Sequence, residues 1–286
     1  MTHESSAVST PSGAAILERV TFAEYSQIQA VNLSTLKELR RSPAHYRHRL
    51  LTPREDTDAM RIGRCIHAAV LEPETFQAKC ALWTGERRYG KTWNKFLTDN
   101  AGREILKREE WDLCLAVQRA VRGDKWAAPY LTGGKSELTI VWQDAETGIR
   151  CRCRLDYLAD AIADVKTGRD MSPRAFESQS WKLGNHLQCA MYIDAVKAST
   201  GRDVGFAFIA VEVAEPHVVQ VFQPSPALIE AGREEYKGLL RALKEYREQD
   251  RYPGYFDGVL DLNLPRWAVN DDEDVSELGL IIGGEQ

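Results

Sequence analysis

Cysteine is sparse and irregular in this 286-residue chain: Cys65, Cys80, Cys114, Cys151, Cys153 and Cys189 form no Cys-x-x-Cys pair. That excludes the disulfide framework of a small secreted domain and argues against a zinc ribbon. The one close pair, Cys151-x-Cys153, has a strand spacing that puts two small apolar groups on one face. A run of about 18 apolar residues is also absent, so no segment reads as a membrane helix. The Met1 end, MTHESSAVSTPSG, has neither a basic nor an apolar stretch that could act as a signal peptide. We expect a cytoplasmic protein with no membrane association. Residues 269–286 lack Lys and Arg but hold six acidic residues, so the rest of the chain stands at +1 where the whole stands at −5. The negative total therefore does not exclude a polyanionic partner.

What is present fits a core-forming chain, with 43% hydrophobic and 28% charged residues. Residues 31–64 carry eight basic residues against four acidic ones, which is either a solvated helix face or a contact surface. We expect a mobile leader over residues 1–28, one domain over 29–268, and an acidic tail over 269–286 that need not be ordered. Ser34 can cap a helix, and Ser42-Pro43 stops it and starts the next. A further helix is expected over residues 57–71, with Ile62, Ile66, Ala69 and Val70 as its stripe. One or two more are expected over 92–121, with Trp93, Phe96, Leu97, Ile105, Leu106, Trp111, Leu115 and Val117 reaching the core.

The period then changes to two. Residues 138–142 read as a strand, 144–148 as a turn, and 149–156 alternate strictly. This hairpin buries Ile149, Cys151, Cys153 and Leu155. It turns Arg150, Arg152, Arg154 and Asp156 the other way, where the arginines either meet phosphates or form an ion-paired, solvated face. A third strand over 161–166 puts Asp164 and Lys166 on one face, and a long helix over 177–199 carries Gln188 and Tyr192 on one side. Two strands over 205–213 and 218–222, then a helix over 226–247, complete an α/β fold: a central mixed β-sheet flanked by helices, with a helical N-terminal part.

Asp156 followed by Asp164-x-Lys166 on adjacent strands brings two carboxylates and an ammonium to one sheet edge. Hard oxygen ligands of this kind suit Mg²⁺, with Mn²⁺ as an alternative, and the lysine can serve a metal-activated water. A phosphodiester is the natural target of such a site.

The ordered series Gly63-x-x-x-His67, Glu137, Asp156, Asp164-Val165-Lys166 and Gln188-x-x-x-Tyr192 resembles the RecB-like branch of the PD-(D/E)xK nucleases. The N-terminal Leu33-Ser-Thr-Leu and Arg41-Ser-Pro-Ala-His-Tyr46, with Gly90-Lys-Thr-Trp93, are similar to the nuclease domain of the RecE-type exodeoxyribonuclease VIII group of phages and prophages. The resemblance implies a restriction-endonuclease-like sheet and a metal-dependent exonuclease that degrades linear double-stranded DNA from the 5′ end, leaving 3′ single strands for recombination by strand annealing. It implies His67, Asp156, Asp164 and the Val165 carbonyl as metal ligands, with Glu137 as an auxiliary one. Lys166 would serve the water, while Gln188 and Tyr192 face the site and hold the lysine or a phosphate. As partners it implies double-stranded DNA ends, a single-strand annealing protein and further copies of the chain in a ring. Iron–sulfur relatives carry three cysteines after the Gln-x-x-x-Tyr helix, and here none follows Cys189, so no iron–sulfur cluster is expected. A single-strand or end-processing nuclease on the same site, and an inactive DNA-binding domain of the same fold, are the alternatives.

Overall fold

The computed structural model of the protein describes residues 7–9, 14–52, 55–256 and 258–264. Its elements run β1 (Ala7–Ser9), β2 (Ala15–Leu17), α1 (Phe22–Gln27), α2 (Leu33–Leu36), a 3₁₀ turn (Lys37–Arg40), α3 (Pro43–Leu51), α4 (Asp58–Leu71), α5 (Phe76–Lys79) and β3 (Cys80–Leu82). They continue with α6 (Lys91–Asp99), β4 (Glu104–Leu106), α7 (Arg108–Gly123), β5 (Lys135–Gln143), β6 (Arg150–Leu158) and β7 (Ala161–Gly168). The last are α8 (Pro173–Leu183), α9 (Asn185–Thr200), β8 (Gly205–Glu212), β9 (Val219–Phe222) and α10 (Pro226–Gln249). The main sheet has the order β1-β2-β5-β6-β7-β8-β9. Every neighbouring pair in it is antiparallel except β7 and β8, which the crossover through α8 and α9 makes parallel. This is the expected mixed α/β architecture.

Two hydrophobic layers cover the sheet. One packs α9 and α10 through Leu187, Met191 and Leu240 against Ile140, Cys153, Leu155 and Phe208. The other packs α4 and α7 through Ile66, Val70 and Val117 against Ala163, Val165, Ile209 and Val211. The strands of the sheet's centre are thus apolar on both faces, and a charged group survives there only if partnered.

Four expectations are corrected. The leader over 1–28 is structured at Ala7–Ser9 and from Ala14 onward: β1 pairs with β2 and β2 with β5, and Arg152 clamps the segment by donating to the carbonyls of Tyr25 and, at 2.6 Å, Ile28, with its guanidinium over the Tyr25 ring. Its side chain therefore serves the fold and is closed to phosphate. Asn32, not Ser34, caps α2, accepting from Thr35 N–H at 2.9 Å. The apolar residues Ile105 and Leu106 lie in β4, parallel to β3, and α6 buries none of its residues. The long helix over 177–199 is two helices, broken at Gly184 with φ 72°, a conformation that L side chains rarely adopt. The acidic tail over 269–286 lies outside the described residues.

One irregularity in the sheet positions everything that follows. Along β6, Cys151, Cys153 and Leu155 face the α9 layer, but Tyr157 packs into the opposite layer and Leu158 returns to the first. The alternation therefore breaks at Asp156. Beside it, β6 and β7 pair only at Tyr157↔Ala163 and Leu158↔Ile162, so the two strands fork just where Asp156 and Asp164 stand.

Candidate active site

Asp156 fills the fork. Its Oδ2 accepts the Val165 backbone N–H at 2.8 Å, replacing a ladder bond that the diverging strands no longer make. Across the β5–β6 ladder, Glu137 falls between the pairs Ser136↔Tyr157 and Leu138↔Leu155, which places it opposite Asp156. Glu137 has φ 54°, rare for a residue with a side chain, and its carboxylate pairs with Arg154. From α4, His67 brings Nδ1 to 3.4 Å from Asp156 Oδ2. His67, Glu137 and Asp156 each offer a ligand atom, and these atoms lie within 4.8 Å of one another. All three line an open groove of about 1260 Å³, into which Arg64, Lys79 and Arg154 also project.

Asp164 and Lys166 alternate onto the α9 face of β7 and meet Gln188 there. Gln188 Nε2 donates to Asp164 Oδ1 at 2.6 Å, and Lys166 Nζ donates to Gln188 Oε1 at 2.8 Å. Lys166 Nζ also lies 2.7 Å from Asp164 Oδ2 as an ion pair, although that oxygen receives no directed hydrogen bond. The three side chains thus close a ring that fixes the lysine's position. One turn along α9, Tyr192 is packed against the core, and burial together with nearby Tyr25, Cys153, Asp164 and Asp156 pushes its phenol well up. A further cation, Lys37, donates to the Leu183 carbonyl at 2.6 Å. Burial, then the charge of Lys166, lowers its ammonium to about 8. Nothing in the sequence marks Lys37 as a site residue, because only the break at Gly184 brings the end of α8 to it.

The two aspartates are poised in opposite senses. Burial opposes ionisation of Asp156, but His67, Lys166 and the Val165 N–H together outweigh it, and the carboxyl is held below its usual range. Burial dominates at Asp164 despite Lys166, and with the negative charge of Asp156 beside it the carboxyl is raised. At His67, burial disfavours the charged ring, yet the Asp156 carboxylate lifts it to about 9. Because this folded value exceeds the ordinary 6.5, the pairing stabilises the metal-free protein in full below about pH 6.5 and is lost as pH rises through about 9. The melting-temperature difference between the wild type and His67→Gln in EDTA should therefore shrink between pH 6.5 and 10. A difference that stays flat across that window would show that His67 is not held charged.

The donor set fits a hard divalent cation. It combines two carboxylates and one imidazole with no thiolate, and Asp164 Oδ2 next to it is a buried anionic oxygen without a directed hydrogen bond. The structure therefore gathers His67, Glu137 and Asp156 in one cluster, and Asp164, Lys166 and Gln188 in a second, around the same fork. Val165 joins them through its N–H. Of the three arginines on the Asp156 strand, Arg154 holds Glu137, Arg152 is buried, and Arg150 is exposed. His186, two residues before Gln188, is buried against Glu235 at 2.8 Å and stacked beneath Trp181.

Comparison with known proteins bears on the family and the fold. Residues 32–259 match the model of a family described as "PDDEXK-like domain of unknown function (DUF3799)". Among solved structures, the chain is similar to a crystal structure from Eubacterium rectale described as a "putative exonuclease". That likeness has 13% sequence identity and a TM-score of 0.58, and covers 91% of this chain and 97% of that one. At that identity the likeness is one of fold, and the fold is the expected restriction-endonuclease-like one. No curated protein matches the chain. No helix among the described residues is long and apolar enough to cross a membrane.

Proposed function

The chain belongs to the family of PDDEXK-like domains of unknown function, and from that premise we propose that it is a metal-dependent nuclease acting as an exodeoxyribonuclease on linear double-stranded DNA. One observation carries the reading above all: two carboxylates of opposite poise and an oriented ammonium converge at the fork between β6 and β7, where Asp156 opens onto a groove of about 1260 Å³. Glu137 stands opposite Asp156 in a sparsely populated backbone conformation, and such strain clusters at functional sites. His67, Glu137, Asp156 and Asp164 would hold Mg²⁺ or Mn²⁺, with the Val165 carbonyl as a further oxygen.

A bound cation supplies Lewis acidity toward the phosphodiester and lowers the pKa of a water. The chain's own residues do the rest. Lys166, fixed by Asp164 and Gln188, points its ammonium at one position, where it orients the attacking water and offsets charge growing on the phosphate. Gln188 holds both partners of that pair at once, so its amide sets their spacing. Tyr192, packed against the core one turn along α9 and near both aspartates, would face the site from the helix. The same reading takes degradation from the 5′ end, leaving 3′ single strands for an annealing protein, as the polarity and role, with copies of the chain assembled in a ring.

The direct test is digestion of end-labelled linear duplex beside a covalently closed circle. Linear DNA should be consumed with Mg²⁺ or Mn²⁺, the circle should survive, EDTA should stop the reaction, and 5′ label should be released first. Cutting of the circle would replace the exonuclease reading with an endonuclease one. Intact substrates with both metals, while duplex ends are still bound, would leave only a DNA-binding role.

A further inference from the structure

Between β3 and β4 the chain makes an excursion over residues 83–103 that the core does not need. Helix α6, the bulk of it, buries no residue, and residues 84–90 before it are all exposed, with Tyr89 at 67% of its free surface. The excursion is nevertheless built. Trp83 meets the Trp93 ring edge-on at 5.0 Å and the Phe96 ring at 4.9 Å, and Arg103 ties the base by donating to the Cys80 carbonyl at 2.6 Å. This internal cluster holds an arm without drawing on the domain's core.

The arm's chemistry differs from that of the rest of the chain. It carries five basic and two acidic residues, in a protein whose net charge is −5. Arg103 is used internally and Lys95 pairs with Asp99, whereas Arg87, Arg88 and Lys91 form no close ion pair among the described residues, the Glu110 carboxylate acting on Arg88 only from further off. Arg87 lies 5.8 Å from the Tyr89 ring centre, and Arg88 5.5 Å from that of Trp93. Tyr89 is the exposed ring of the arm, Trp93 being half-buried against Trp83, and an exposed ring flanked by guanidinium groups is a surface on which an unpaired base stacks while its phosphates are neutralised. The location fits as well. Cys80, Gly102 and Glu104 at the arm's root line the same groove as His67, Glu137 and Asp156.

We infer that residues 83–103 are a single-strand-binding arm, which grips unpaired DNA at the rim of the catalytic groove through Tyr89, Arg87 and Arg88. The inference rests on the nuclease reading for its substrate and adds the part of the substrate that this arm holds. Duplex would sit in the groove, and the strand with free bases on the arm.

Fluorescence anisotropy in EDTA tests this with a labelled oligothymidine and a blunt hairpin duplex. Tyr89→Ala should weaken oligothymidine binding about tenfold and change hairpin binding less than twofold, and Tyr89→Phe should restore the single-strand affinity. The double variant Arg87→Ala/Arg88→Ala should flatten the salt dependence of oligothymidine binding by about 1.4 in log–log slope, or about 0.7 for each phosphate no longer neutralised. Hydrolysis of bis(p-nitrophenyl) phosphate, too small to reach the arm, should be unchanged in all three and so report a folded site. Unchanged oligothymidine affinity in Tyr89→Ala, or an equal loss on both probes, would overturn the arm. A wild-type protein that binds neither probe would instead overturn the nuclease reading beneath it.

Discussion

Asp164→Asn should abolish phosphodiester hydrolysis, by a factor on the order of 10³ or more, while leaving the melting temperature in EDTA at pH 7.5 equal to or above that of the wild type. The two halves of this expectation share one cause. Asp164 is nearly completely buried, and burial raises its carboxyl above the usual range, so its charge is held less easily in the fold than in the unfolded chain. A group with a raised carboxyl pKa costs stability when ionised at neutral pH, and an isosteric amide removes that cost. Asp156→Asn should be as inactive but less stable. There the folded state favours the charge, whose stabilisation is present above the ordinary carboxyl range and lost as pH falls through the depressed value. The amide would leave the half-buried His67 without its counter-charge. Two acids with the same effect on turnover and opposite effects on stability would mark Asp164 as retained for chemistry. Activity within tenfold of the wild type in Asp164→Asn would remove it from the site, and a fall of several degrees in its melting temperature would make it a structural ion-pair member instead.

How much of the site is legible in the sequence follows from which of its contacts are local. The alternation over 149–156 and the pair Asp164-x-Lys166 are properties of single strands, so the faces they present can be read directly. The spacing of Gln188 and Tyr192 survives because it is one turn of one helix. Asp156 is different. Strict alternation assigns it to the face opposite Leu155, and only the break between Leu155 and Tyr157, together with the short β6–β7 pairing, turns it into the fork. Glu137 requires the register of β5 against β6, which Gly148 helps set at φ 71° in the connecting turn. Lys37 reaches the end of α8 across 146 residues of sequence, a pairing that no local period encodes. The strands β3 and β4 are three residues each and parallel, too short to show a period, and Trp93 and Phe96 resemble core residues because they pack on Trp83 within their own arm.

The packing of α10 on α9 carries the second large effect. Gly232 lies directly against the backbone of α9: a Cβ there would fall inside contact distance of the His186 carbonyl and 3.1 Å from the Leu187 backbone nitrogen. Backbone cannot rotate aside as the end of a side chain can, so Gly232→Ala must push the helices apart. The connections around it resist that shift. His186 is bonded to Glu235, while Arg233 and Tyr236 both hold Asp194, the latter at 2.6 Å. Overpacking of this kind costs typically about 1–3 kcal/mol. The upper end is expected here, which at about 2–4 °C per kcal/mol lowers the melting temperature by roughly 6–12 °C. Gly238 supplies the control, since it lies in the same helix and its Cβ would meet only an arginine nitrogen at 3.8 Å. Gly238→Ala should stabilise by about 0.5–1 kcal/mol, because only the helix propensity changes. The site registers the difference too. Gln188 follows the displaced backbone directly and holds Lys166 against Asp164, so Gly232→Ala should lose turnover even below its melting transition, whereas Gly238→Ala keeps it. Equal melting temperatures for the two variants would mean that α9 and α10 can separate freely, and that the position of Gln188 is set by β7 alone.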